Sequence, residues 1–276
     1  MPASSRSDRS TSPLACLLAL GGLAGCDPAS DDTANASAHL LGPPDPLAPP
    51  VQPADRAPSP AQVRAVVDAM LRSAYGEDSF DASRACWRHT FDGATGPRDY
   101  CMRVATPQVL PGERGPEVYV LTYSDPEAGR YAQDEPGLQG LFAAQASDDG
   151  TWTPLAASPA IGTGRAGDCG CRHDAAIEVG PGRYGWLSIA GDAWQGAESS
   201  AYALRIAEDG AFREVSRIPR ASRDAPDEFN TLEVDRSGAP VAGMYPLKVT
   251  RRRGDTLLGT RAVAFNPAQG SYPWTP

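Results

Sequence analysis

The sequence is short of groups that do chemistry. It holds three histidines, one of them (His39) inside a proline-rich stretch, and a single lysine, Lys248. No G-x-S-x-G, H-E-x-x-H or P-loop occurs, and no G-x-G-x-x-G follows a strand, so no common motif of hydrolases, zinc proteases, nucleotide enzymes or dinucleotide enzymes marks the chain. A serine triad would have to use His89 or His173 as base, with a serine that no motif marks. No apolar run reaches the ~20 residues that cross a bilayer core. Positive charge is scarce as well: 25 Lys and Arg stand against 34 Asp and Glu, for a formal charge of −9. Such a surface repels phosphate backbones, so no nucleic acid is expected as a partner, and no polybasic patch suits anionic lipid.

What is present begins at the N-terminus, MPASSRSDRSTSPLACLLALGGLAGCDPAS. Arg6 and Arg9 make a basic start, and Pro13 to Gly25 is small, apolar and uncharged. That run has the length of a signal-peptide apolar segment. It ends in Leu23-Ala24-Gly25-Cys26, which resembles the lipobox of bacterial lipoproteins. The resemblance covers about the first 26 residues. It implies that the Cys26 thiol receives a diacylglyceryl group, that cleavage falls just before it, and that the new amine is acylated. Two or more acyl chains hold a protein stably at a membrane where one does not. The expected location is therefore the bacterial cell envelope, with the membrane as partner through the anchor. Asp27 resembles an inner-membrane retention signal of some bacteria, and the choice of membrane stays open. Removing residues 1–25 takes away two arginines and one aspartate, which moves the formal charge from −9 to −10.

From Asp27 to Pro60 the chain is rich in Pro, Ala, Ser and Asp, with no helix or strand period. Such a segment cannot bury much surface and reads as an extended tether, of at most roughly 100 Å at about 3.1 Å per residue. The expected organisation is a signal peptide over 1–25, the lipidated cysteine and tether over 26–60, and one mainly β domain over 61–276. Ser59-Pro60 opens a helix over about 60–75, because Ser59 can cap and Pro60 suits the first position. Val63, Val66, Val67, Met70, Leu71 and Ala74 then share one face at helical period, and Gly76 ends it.

Beyond the helix come short alternating or apolar runs at 117–124, 138–146, 175–180, 184–190, 200–207, 212–218, 229–235, 245–253 and 260–266. Gly, Pro, Asp and Asn punctuate them, which predicts antiparallel sandwich or propeller-like sheets. Asp149-Gly150 and Asp209-Gly210 read as hairpin turns. The frames around them look alike at a spacing of 60 residues, as a duplicated hairpin or blade would. Arg251-Arg252-Arg253 reads as a solvated strand end, or else a docking patch.

Cys16 leaves with the signal peptide and Cys26 takes lipid, so Cys86, Cys101, Cys169 and Cys171 remain. An even number in an exported chain points to disulfides, with three possible connectivities. Cys86 and Cys101 flank a Gly-rich turn, and a local bridge there comes first, worth roughly 3 kcal/mol by the chain-entropy estimate. That leaves Cys169 with Cys171 across Gly170; crossed pairing between the two sites is the alternative.

The stretch "GDCGCRHD" (167–174) also admits two functional readings. A strained Cys169–Cys171 bridge beside Arg172 and His173 would suit thiol exchange. Cys169, Cys171 and His173 are otherwise soft ligands for Cu or Zn, with His89 as a further ligand. Tyr184, Trp186 and Trp194 read as core, or else as an aromatic platform for a sugar or peptide. Asp125, Glu127, Asp134 and Glu135 crowd one loop without the spacing of an EF-hand. The sequence thus points to a lipid-anchored envelope protein with a non-catalytic binding or envelope-maintenance role and no cofactor. An envelope protein or glycan is the expected ligand. A thiol-redox or Cu/Zn-handling protein and an unmarked hydrolase are the alternatives.

Overall fold

The computed structural model describes residues 57–93, 96–147, 151–194 and 197–275, and of residues 192–194, 197 and 198 the backbone alone. Cys26, the tether up to residue 56 and the Asp149-Gly150 turn lie outside the described residues.

One helix, α1 (Pro60–Tyr75), opens the domain. Ser59 and Gln62 cap it reciprocally. The Gln62 N–H donates to Ser59 Oγ at 3.3 Å and the Ser59 N–H donates to Gln62 Oε1 at 2.8 Å. Gly76 stops it at φ 103°, with its N–H returned to the Arg72 carbonyl. Val66, Val67 and Leu71 are the buried part of the predicted apolar face.

Among the described residues fourteen strands follow and build two antiparallel sheets of seven. The first holds β1 (Phe80–Asp81), β2 (Cys86–Gly93), β3 (Gly96–Val104), β4 (Gln108–Gly112), β5 (Gly115–Ser124), β6 (Gly137–Ala146) and β7 (Trp152–Thr163). Its order is β1-β2-β3-β5-β6-β7, with β4 folded back on β5. The second holds β8 (Ala175–Gly180), β9 (Arg183–Trp194), β10 (Ala197–Glu208), β11 (Ala211–Ser222), β12 (Ala225–Val234), β13 (Leu247–Arg253) and β14 (Thr256–Val263). It is a plain meander in which every strand pairs with its sequence neighbour. The mainly β architecture with one N-terminal helix is as the sequence predicts, as two packed sheets rather than four-stranded blades. Asp209 and Gly210 turn the β10–β11 hairpin with φ of 50° and 79°, as a two-residue primed turn requires.

The strands of the first sheet sort their side chains by parity. Val118, Val120, Leu138, Phe142 and Ala144 face α1 and its Val66, Val67 and Leu71. Tyr119, Leu121, Leu141 and Ala143 face the other way and meet Ala176, Trp186 and Phe212 of the second sheet. The first sheet is thus the middle layer of three. Gly140, on the α1 face of β6, leaves room for the Tyr75 hydroxyl, which lies 2.7 Å from Thr122 Oγ1 and donates to the Pro159 carbonyl at 2.8 Å. A Cβ on Gly140 would stand 2.1 Å from Thr122 Oγ1.

The second sheet curls. The Tyr245 N–H, just before β13, donates to the Val179 carbonyl on β8 at 2.7 Å, so the segment leading into β13 closes on the first strand of the meander. Leu204, Ile206, Val215, Ile218, Leu247, Val249 and Val263 fill the enclosed side. The sheets touch where the β10–β11 turn crosses β7, with the Ala157 N–H on the Gly210 carbonyl and the Phe212 N–H on Ser158 Oγ, both at 3.0 Å.

Candidate functional site

The loop that carries "GDCGCRHD" joins β7 to β8 and is pinned along its length. Gly164, Gly167 and Gly170 take positive φ, and Arg165 and Asp168 form a tight backbone bridge. Ser124 Oγ donates to the Gly167 carbonyl at 2.6 Å and accepts the Leu138 N–H at 2.8 Å. Cys169 and Cys171 are bonded to each other, with Cα atoms 5.1 Å apart and Gly170 at φ 64° between them. Both are 2% exposed and packed into the core between the sheets. Cys86 and Cys101 form the second bridge, Cα to Cα 5.4 Å, across β2 and β3. The crossed connectivity is not adopted.

This placement bears on both thiol readings. Two sulfurs joined in a disulfide leave no thiolate for Cu or Zn, and among the described residues no group of three His, Cys, Asp or Glu is arranged to hold a metal. Thiol exchange needs an attacking thiolate to reach a sulfur, and burial closes that path. His173 is exposed, and Arg172 lies over the Tyr123 ring at 5.4 Å. His89 sits half-buried on β2 with its ring edge-on to Tyr75 at 5.3 Å, and burial pushes its pKa down. Neither histidine ring makes a hydrogen bond among the described residues, so no serine–histidine pair is assembled here.

The last residue of the stretch belongs to a polar cluster that the sequence did not reveal. Asp174 accepts from Gln139 Nε2 at 2.7 Å and from the Ser188 hydroxyl. Gln139 Nε2 also reaches Ser188 Oγ at 3.0 Å, and Gln139 Oε1 accepts from Arg205 Nη1 at 3.3 Å. Arg205 pairs with Glu214 at 2.9 Å. The cluster ties β6 to β9, β10 and β11 inside the sheet–sheet contact. Burial dominates its electrostatics: it raises the Asp174 pKa to about 6 and lowers that of Arg205. Every member has a partner, which a buried polar group needs to avoid a penalty of about 1–3 kcal/mol.

The aromatic residues separate. Trp186 is fully buried and meets the Tyr119 ring at 6.1 Å, so it is core and offers no face to a ligand. Tyr184, on the same face of β9, stands at the edge of a cleft of about 240 Å3 with Glu117 and Arg183, and its hydroxyl donates to the Pro111 carbonyl at 3.1 Å. Within that cleft the Tyr119 hydroxyl donates to Glu117 at 2.9 Å, and burial pushes the Glu117 carboxyl up. The side chain of Trp194 lies outside the described residues. The acidic loop is occupied by protein partners, since Asp125 is held by Arg103 at 2.6 Å and Glu135 by Arg98.

A larger cavity lies between α1 and β6–β7. Its volume is about 570 Å3. Val66, Met70, Phe142 and Trp152 supply the bulk of its wall. Ala65, Ala69 and Ser73, spaced four apart along α1, are small, and Ala157 faces them on β7. Small side chains on both rims leave the space between helix and strand unfilled, and the groove results. No charged residue lines it; Gln62 and Ser73 carry its main polar side chains. The helical period exposed the buried stripe of α1 in the sequence, but not the strand on which the small flank opens.

Comparison with protein-family models, curated proteins and solved structures finds no match to this chain.

Proposed function

We propose that this protein is a lipid-anchored component of the bacterial envelope and that its β domain is a non-catalytic binding module for an apolar chain such as a lipid acyl group. One observation carries the reading: the groove between α1 and β7 is about 570 Å3, walled by Phe142, Trp152, Met70 and alanines, and free of charge. Small-molecule sites are typically concave, mostly apolar and about 300–1,000 Å3, with a few polar groups to orient the ligand. A wall without charge offers little to an anion or a charged peptide, and much to a hydrocarbon chain. The lipobox residues Leu23-Ala24-Gly25-Cys26 support the anchored location.

The test uses the full chain carrying Cys26→Ser, which bears no acyl chain of its own. A fluorescent polyene fatty acid should bind it with saturable, micromolar affinity. Ala69→Trp and Ala157→Trp, both at exposed rim positions, should abolish the signal while the circular dichroism stays unchanged. Binding that survives both substitutions overturns the groove. The same Cys26→Ser chain should show no lipid labelling and should leave the membrane fraction; unchanged fractionation overturns the anchor.

A further inference from the structure

An edge strand presents unpaired N–H and C=O groups, and proteins ordinarily cover or blunt such edges. Here the edge of β7 is met by Gly210 of the β10–β11 turn, and the edge of β8 by Tyr245. The edge of β2 carries β1, and the Arg88 N–H donates to the Ser79 carbonyl at 2.8 Å. The edge at β14 is open over the full length of the strand. Its inner side pairs with β13 from Val263 to Thr256, and its outer side makes no backbone hydrogen bond among the described residues. It contains no proline and one charge, Arg261. Every side chain but that of Val263 is exposed, Leu257 to 57% and Leu258 to 42%. Beside it lies a cleft of about 690 Å3, whose walls include Phe229, Val249, Leu258 and Trp274.

Charge selects among occupants. Arg251 and Arg253 are both held by Glu228. Arg252 instead donates to the Asp255 carbonyl at 3.3 Å. Arg261 donates to the Thr275 carbonyl and lies over the Trp274 ring at 5.3 Å. Among the described residues neither has a carboxylate within ion-pair distance. Among the described residues they are two cations without a carboxylate partner, Arg261 on β14 itself and Arg252 on β13, opposite Leu257. A second copy paired through β14 would offer these arginines no carboxylate from its own strand, since β14 holds no Asp or Glu. An acidic strand would neutralise them.

We propose that β14 is a strand-addition site for an extended, acidic segment of a partner protein. The segment pairs along Thr256–Val263, sets carboxylates near Arg252 and Arg261, and places an apolar side chain in the adjoining cleft. Backbone bonds supply affinity and the flanking side chains supply choice, as in other strand-addition complexes.

The experiment uses the full chain, labelled for NMR, and two eight-residue probe peptides in which valine alternates with glutamate or with lysine. The glutamate peptide should bind, shift amides clustered in 256–263, and weaken with added salt. The lysine peptide should bind about ten-fold more weakly or worse. The double variant Arg252→Glu/Arg261→Glu, altered only at side chains, should reverse that preference. Thr260→Pro, which removes one strand N–H, should weaken both peptides. Equal binding of the two peptides, no binding of either, or shifts outside β14 overturns the proposal. So does a chain that is already a dimer through β14, because the occupant is then a second copy.

Discussion

β6 and β14 sit in the same architecture under opposite conditions: nine of the ten residues of β6 are buried, and one of the eight of β14. β6 has a strand on each side, α1 over one face and the second sheet over the other. β14 has one neighbouring strand and an open edge. Their sequences show it. "GLQGLFAAQA" carries no charge and no alternation, as a strand buried on both faces should. "TLLGTRAV" mixes leucine, threonine and arginine with nothing to hide on most positions. Stability is therefore concentrated in the middle layer, and the far rim of the second sheet contributes little.

The strongest test of that contrast is a matched pair of truncations. Phe142→Ala on β6 should cost about 3–5 kcal/mol, as a fully buried aromatic does. Leu257→Ala on β14 should change stability by no more than about 0.5 kcal/mol. Urea midpoints measure both, and similar losses at the two sites would break the contrast.

The disulfides sharpen it at the next scale. The Cys86–Cys101 bridge spans 15 residues, and Cys86→Ala/Cys101→Ala should cost about 3 kcal/mol in the chain-entropy picture. The Cys169–Cys171 ring closes a separation of two, so Cys169→Ala/Cys171→Ala should cost about half as much. Thermal melts of the two double variants compare them directly. If the small ring proves the more costly, its packing between the sheets outweighs chain entropy.

The smallest effect lies in the polar cluster between the layers. The folded Asp174 pKa is raised from 3.8 to about 6 by burial. A raised folded value means that the proton is held more tightly in the native state. The contribution is thus fully present below pH 3.8 and is lost as pH rises through about 6. One pKa unit is about 1.4 kcal/mol, so the loss is at most about 3 kcal/mol, and residual solvent contact makes about 1–2 kcal/mol the expected size. Asp174→Asn keeps an acceptor for Gln139 and Ser188 without the charge. Its stability relative to wild type should rise between pH 4 and pH 8, because wild type alone carries this loss. A constant difference across that range would show that Asp174 titrates alike in both states.

Much of this architecture was legible because local signals agreed with it. Ser59, Pro60 and Gly76 bounded α1 correctly, since a cap, a first-turn proline and a terminating glycine act through neighbouring backbone alone. The runs at 117–124 and 138–146 became β5 and β6, and the seven later runs fall on β8 to β14. β7 carried no such run. Pro154 and Pro159 break its pattern, and they are tolerated because β7 is an edge strand with one full strand partner. The two look-alike hairpin frames proved to be neighbours in space, joined at Ala156 and Gly210, rather than blades. The site was harder to read. Gln139, Ser188 and Arg205 are far apart in the chain, and each is an unremarkable polar residue until the sheets stack. The groove escaped for a similar reason: Ala69 and Ala157 matter by what they fail to fill, and a small side chain leaves no signal of the wall it faces. Trp186 shows the converse, for the same strand pattern suits a buried aromatic and an exposed platform until burial is known.

The double cover on β6 also sets a clock. Its amides are shielded by a strand on each side and a layer on each face, so fraying or loop opening does not bring them to water. Their hydrogen exchange should require the whole fold to open, and the slowest of them should report the global free energy of unfolding. The amides of β14 should exchange through small local openings at far lower cost. One molecule thus carries two timekeepers, one for its survival and one for its rim.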